Sequence, residues 1–485
     1  MKKFLYIPLV FSILFYGCSD FDSINENPNE PTAVATGVLF TSALRGAVKT
    51  TANESFLLGN NIAQLTAKTL RAEVDFYKWN AFPTLWEGLY ESLTDLNQVI
   101  AIAEQGNNDQ AKGAAMVTRA WVFSVLTQAY GDIPYSEAGA GADGNFTPIY
   151  DNQEAIYKNI LSELEQGAVL LGGSGSIPGD LLYSGSAAAW QKFANSLQLR
   201  LLLRAGNSWP EAQQKFNSIV ATGNIFKSNE DQAALAFISS FPNQFPTKPL
   251  KQGDFDAVAI GQATVSVMEN LKDPRISRYA RPDNDNFSAG SYTGVQNGVG
   301  GQSGSRLGVA YFNYPGLKTA DQLGVNSAQG LIMTHAELLF IQAEAAAKGW
   351  TNQSIESLYR AGIKASHEFY QADYDSFGWN DFDDFYTNSG VAYSVTTDVW
   401  EQHWLALFFT GMEPYFAVRD WYVSAGGWDG IPFLNAPIGV NSNNYELPMR
   451  FQYPGQEQSL NATHYQEASA RYNSDNINAK MWILK

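Results

Sequence analysis

Two stretches of the chain set aromatic rings beside amides and acids with no helical spacing between them. The first, DFYKWN, holds Asp75, Tyr77, Trp79 and Asn80; the second runs from Tyr292 and Asn297 to the cluster YFNY, with Tyr311, Asn313 and Tyr314. Such mixtures can recognise without making bonds: flat rings cover the C–H faces of a sugar, and planar amides and carboxylates answer its hydroxyls. A peptide backbone can be met by the same composition, so both ligand classes stay open on these residues. For any one ring, packing inside an insertion weighs as much as ligand contact. As a group beside amides they are expected to form a contact surface, on which Trp79→Ala or Tyr311→Ala weakens binding with little change in melting temperature.

Bond-breaking chemistry has one candidate pair. Glu337 and Glu344 lie seven residues apart in LIMTHAELLFIQAEAAAKGW, hence on one helix face, and paired carboxylates are what glycoside hydrolysis requires. A helical glycoside hydrolase is therefore a competing reading. The flanking Ala343 and Ala345 point instead to close helix packing around a buried Glu paired with an arginine such as Arg360 or Arg419, since structural ion pairs also occupy carboxylates. That structural reading is preferred, and no enzyme is expected. His335, His367, His403 and His464 are scattered without ligand spacing, so neither a metal nor another cofactor is assigned. No GxSxG elbow or phosphate-binding loop occurs.

The single cysteine, Cys18, cannot form an internal disulfide. It follows Lys2 and Lys3 and the apolar run Phe4 to Tyr16, which is too short to cross a bilayer but suits the core of a signal peptide. Gly17 directly before Cys18 is the arrangement for lipidation and cleavage, despite the bulk of Phe15 and Tyr16. Residues 1–17 are then a lipoprotein signal and residues 18–32, with Pro28 and Pro31, a lipidated tether. Each buried acyl methylene contributes ~0.8 kcal/mol, so two or more chains hold firmly. A formal charge of −17 repels phosphate backbones and anionic headgroups, which excludes nucleic acid as a partner and leaves membrane attachment to the lipid.

From residue 33 the pattern turns helical. Trp86, Leu89, Tyr90, Leu93, Asn97 and Ile100 recur at three- and four-residue steps, and Ala111 to Tyr130 follows, stopped by Gly131 and Pro134. Asp151 and Glu154 read as a capping box before Ile156 to Ala168, and a partner helix runs from Ser186 through Leu201. A third pair joins a helix ending at Lys348, closed by Gly349, to Ser354–Tyr370; a fourth apolar helix is expected over Thr397 to about Phe416. Trp86, Trp121, Trp190 and Trp404 sit on periodic faces and are expected in the core. The fold class is mainly α: tetratricopeptide-like helix pairs in a single domain over 33–485, with insertions near 206–330 and 371–397 and an irregular region over 420–485. Loops as long as Arg281 to Gly316 are functional or disordered, and their rings favour ordered binding loops.

In order and spacing, a series of segments resembles the SusD/RagB family of outer-membrane nutrient-binding lipoproteins of Bacteroidetes. They are NENPNEPT, WEGLYESLTDLNQVI, YGDIPYSEA with TPIYDNQEAIY, WQKFANSLQLRLLLR, the DPR of LKDPRISRY, HAELLFIQAEAAAKGW, GMEPYFAVR and LPMRFQYPGQEQSLN. Ser186 stands where that pattern has an acid, and Asp420 follows Arg419 where a second arginine is expected. The resemblance implies four helix pairs with irregular segments forming the ligand face. It also implies a surface lid on a SusC-type TonB-dependent transporter that captures oligosaccharides or, in some members, peptides. A helical scaffold that binds only other proteins is the remaining alternative. The acidic run Ser19-Asp20-Phe21-Asp22 resembles a surface-export signal of such lipoproteins.

Overall fold

In the computed structural model the described residues are 35–485, except 80, 239, 242, 284–289 and 440, with the side chains of 142 and 143 also left aside. The proposed signal, Cys18 and the tether lie outside them. The chain is mainly helical, and its frame is a succession of antiparallel helices that pack on their sequence neighbours. These are α1 (Thr36–Glu54), α2 (Pro83–Gln105), α3 (Asp109–Tyr130), α4 (Gln153–Leu170) and α5 (Ala187–Ala205). A short α6 (Ala212–Thr222) packs on α5. After an excursion that includes α7 (Gln262–Leu271), the frame resumes with α8 (His335–Ala347), α9 (Ile355–Phe369), α10 (Thr396–Ala406) and α11 (Glu413–Ala425). The tetratricopeptide-like pairing expected from the sequence is present in α2–α3, α4–α5 and α8–α9.

Local sequence accounts for the helix ends. The side chains of Asn108, Asn152, Ser186, Thr334 and Ser354 each accept from a backbone N–H in the first turn of α3, α4, α5, α8 and α9. Such a cap stabilises a helix by about 1 kcal/mol. Ser186, one of the departures from the expected pattern, is itself a cap. The expected capping box at Asp151 is not formed: Asn152 caps α4, and Asp151 instead accepts from the backbone N–H groups of Tyr135 and Ser136. Gly131 ends α3 at φ +87°, as its position suggested. The fourth apolar helix is also corrected, because Thr397 to Phe416 is two helices. The break at Leu407–Met412 has Phe409 at φ +60° and Gly411 at φ +56°, and a Cβ on Gly59 would meet the Gly411 carbonyl at 2.3 Å. The backbone turns there to fit against the end of the first helical segment.

Two short antiparallel ladders tie the excursions to this frame. β1 (Thr66–Lys68) pairs with β3 (Val258–Ile260), Thr66 opposite Ile260, and β2 (Ala233–Ala236) pairs with β4 (Gln329–Met333). Single bridges at Ala259–Arg306, Gly261–Val295 and Ala280–Leu307 continue the pattern. One apolar core draws residues from Leu39 to Leu484, and a second gathers α8, α9, α10 and the short helix Phe382–Asn388. Trp86, Trp121, Trp190 and Trp404 are buried in the first.

Where α5, α8 and α11 meet, the interior is charged. Arg200 donates to both oxygens of Glu337, at 2.6 and 2.7 Å, and to the Ile332 carbonyl. Its other amino group lies 3.3 Å from Glu413, which also pairs with Arg204 at 2.7 Å, and Arg204 reaches Asp420 at 3.1 Å. Burial works to raise Glu413, but the two guanidiniums outweigh it and hold the carboxyl below its usual range. Glu344 is buried as expected, yet its partners are His403 at 2.7 Å and the Trp421 indole at 3.2 Å. The expected arginines are engaged elsewhere: Arg360 with Asp383, Arg419 with the Gln128 and Met449 carbonyls. Removing one partner of a buried pair leaves the other uncompensated. Glu337→Leu is expected to lower unfolding free energy by about 3–5 kcal/mol in urea titrations, and Arg200→Met with Glu337→Leu to recover part of that loss.

Candidate ligand-binding groove

The rings singled out in the sequence do not lie on the surface. Trp79 is buried, donates its indole N–H to the Val74 carbonyl at 3.1 Å, and packs edge-on against Phe82, Tyr415 and Phe451. Tyr77, at φ +54°, is buried at its side with a hydroxyl that has no hydrogen-bond partner among the described residues. Asp75 is buried beside Lys68 and accepts from its backbone N–H at 2.9 Å; burial pushes the carboxyl up and the Lys68 ammonium down. Tyr311 stacks on Phe409 at 4.1 Å, Tyr314 donates to the Leu307 carbonyl beneath the Arg281 guanidinium, and Tyr292 is buried. Asn313 is exposed and accepts from Lys248. Asn80 lies outside the described residues. The expectation of an exposed aromatic surface is therefore corrected. Packing wins over exposure here, because these rings join the main apolar core and dock the excursions onto the helical frame.

Asn297, itself buried, borders an open depression of about 530 Å³. The walls come from four separate segments. Gln64 lies just before β1; Gln262, Ser266 and Asn270 are on α7; Gln296 and Asn297 belong to the second of the two aromatic stretches; Asn435 and Ile438 follow α11. Glu401 of α10 closes one side, and Phe433 contributes an apolar floor. The β1–β3 ladder sets this arrangement, since Gly261 at its end donates to the Leu65 carbonyl at 3.0 Å and Gln262 donates to the Val295 carbonyl at 2.8 Å.

Three of the amides are aimed by a partner. Gln64 donates to the Asn435 carbonyl at 2.6 Å, Asn297 to the Asn61 and Thr66 carbonyls at 3.0 and 2.9 Å, and Gln262 to Ser266 at 3.0 Å. Two glycines let the outer walls touch backbone to backbone. Gly298 has φ +83° and Gly439 φ +99°, and a Cβ on either would come within 2.4 Å of the other loop's carbonyl oxygens. Burial raises Glu401 to about 7, against the lowering effect of the Gln402 amide and with Asp398 adding to the rise.

Other hollows are of different character. Tyr311 borders a cavity of about 300 Å³ walled by Leu331, Phe369 and Phe409, and a wider depression of about 890 Å³ beside α8 and α9 sets Lys227, Glu230, His335, Lys364 and Glu368 among amides of its own. Glu337 and Glu344 share a space of about 70 Å³ with Arg200 and His403, enough for a few waters and not for a sugar.

Comparison with known proteins now bears on this geometry. The profile of the SusD-like family, described as starch-binding and associating with the outer membrane, matches residues 28–454. The chain belongs to the SusD-like family. Its fold is similar to that of a SusD homolog from Bacteroides fragilis, at TM-score 0.77 and 23% identity over 93% of this chain and 100% of that one. It is similar also to a candidate nutrient-binding outer-membrane protein from Bacteroides vulgatus, at TM-score 0.75 and 25% identity over 93% and 100% of the chains. A chitin-binding SusD homolog from Flavobacterium johnsoniae aligns at TM-score 0.74 with 20% identity, over 93% and 98%. No curated protein matches the chain. This SusD-like chain accordingly associates with the outer membrane, as its family does.

Of the groove residues only Asn297 was named from sequence. Gln64, Gln262, Gln296, Glu401 and Asn435 belong to segments that read as turns, helix faces or loops; the excess of amides around Gly- and Asn-rich stretches is the one signal they carry. Two measurements separate frame from groove. Trp79→Ala is expected to cost about 3–5 kcal/mol of stability, the range for emptying an aromatic core site, whereas Gly439→Ala is expected to displace the groove wall and weaken ligand binding with a much smaller change in melting temperature.

Proposed function

We propose that this protein captures oligosaccharides non-catalytically in the amide-lined groove and passes them to a SusC-type TonB-dependent transporter, held at the cell surface by a lipid on Cys18. The observation that carries the reading is the convergence of six amides from four segments on one open depression with an apolar floor. Amide groups offer donors and acceptors together, which is what sugar hydroxyls need, and Phe433 and Ile438 offer apolar faces for ring C–H surfaces. A chitin-binding relative of the same fold supports a glycan rather than a peptide. An open site buries less of its ligand than a closed pocket, so affinity is expected to be weak to moderate, as suits release to a partner. Against hydrolysis stands the enclosure of Glu337 and Glu344, each already held by a buried partner.

Isothermal titration against N-acetylchitohexaose, maltohexaose and cellohexaose, beside a panel of short peptides, tests the ligand class. Binding of a glycan without product formation is the expected result; peptide binding alone, or released sugars, would displace the reading. Gln262→Ala and Asn435→Ala are each expected to weaken glycan binding about three- to tenfold, the worth of one hydrogen bond, at unchanged melting temperature. Mass spectrometry of the membrane-extracted protein is expected to find a diacylated Cys18 as the first residue.

A further inference from the structure

The groove is unusual in its charge. Among its lining residues there is no lysine or arginine, and the one ionisable side chain is the acid Glu401. Six amides line the same groove, and the Gln402 amide donates to the Glu401 carboxylate at 3.4 Å. No cation closes an ion pair with it among the described residues. A ligand carrying a carboxylate or sulfate would therefore meet an acid and find no base to answer it.

We infer that the groove selects neutral glycans and rejects anionic ones, with Glu401 as the residue that sets this preference. The inference rests on the reading of the groove as a glycan site and adds the charge class of the glycan. Like charges brought together across a binding site are a common way to refuse a partner that otherwise fits.

The same arrangement makes the rejection depend on pH. Burial raises the Glu401 carboxyl to about 7, so it is charged above that value and neutral below it. Other groups face it from the elements packed around it. Asp398, on the same helix, accepts from the backbone N–H groups of Ser394 and Val395. Asp273 and Arg275, from the loop beneath, form a buried pair at 2.5 Å. Burial works to raise Asp273, but Arg275 and His367 outweigh it and hold it below the usual carboxylate range. Burial pushes His367 of α9 down and Tyr359 of α9 up, away from neutrality in both cases. A glycan carboxylate itself, with an ordinary pKa near ~4, stays ionised throughout. Rejection is thus strongest where Glu401 is charged, and it relaxes as pH falls through about 7.

The test titrates the full-length mature protein with each of the three neutral hexaoses and with its C6-oxidised, carboxylate-bearing counterpart, at about pH 5.5 and about pH 8.5, on either side of the Glu401 transition. The expected result is a neutral-over-anionic preference about tenfold greater at the higher pH, and a Glu401→Gln variant whose preference is the same at both. A wild-type preference that does not change with pH overturns the inference and leaves the glycan reading standing, as does an anionic probe bound as tightly as the neutral one at the higher pH. Glu401→Gln retaining the pH dependence likewise overturns the role of Glu401. Failure of every neutral probe to bind overturns the glycan reading and the inference together. The wild-type comparison needs no variant, so it decides the matter even where Glu401→Gln folds poorly.

Discussion

The buried contacts of Arg200 and Arg204 with Glu337, Glu413 and Asp420 constrain everything built on the frame. Three helices from distant parts of the chain meet there, and each supplies a charge that would be costly to bury alone. An apolar interface between α5, α8 and α11 would tolerate sliding. A bidentate guanidinium–carboxylate pair does not, because its two parallel hydrogen bonds fix distance and angle together. The departure at Asp420 has its explanation here: the second Arg204 contact uses the acid that stands where the family pattern has another arginine.

A rigid frame matters because the ligand face is made of segments that have little regular structure. They are ordered by pairing with one another at short edges: β1 with β3, the Gly261–Val295 bridge, and the contact between Gly298 and Gly439. The rings buried beneath them, Trp79, Tyr311, Phe312 and Tyr314 among others, join the main apolar core and tie these loops to the frame. Aromatic content in the insertions therefore serves rigidity, and in the proposed function recognition falls to the groove amides. A site composed this way suits a neutral, hydroxyl-rich ligand, since every donor comes with an acceptor on the same side chain.

The helix pairs were legible because their signals are local. Periodic apolar faces through Trp86 and Trp190, Ser and Asn caps, and Gly131 or Gly349 at helix ends each speak within a dozen residues. The break between α10 and α11 was not, since the apolar run Trp404 to Phe409 crosses the end of α10, and the turn beyond it fits against Gly59 from far away in the chain. The partner of Glu344 was missed for the same reason: a buried acid can be inferred from its alanine neighbours, but which base reaches it depends on how α10 and α11 fold back.

The sequence by itself determined that the chain is a mainly helical frame of paired elements, acidic overall and similar to the SusD-like family, with aromatic and amide-rich insertions. Tertiary structure alone decided which of those insertion residues pack inward and which line the open groove. Rings and amides occur side by side in both stretches, and composition does not say which way a side chain points. That choice follows from burial, because apolar rings gain by leaving water whereas an amide gains little unless its partners are in place. Those partners, such as Asn61 and Thr66 for Asn297, lie more than two hundred residues away along the chain.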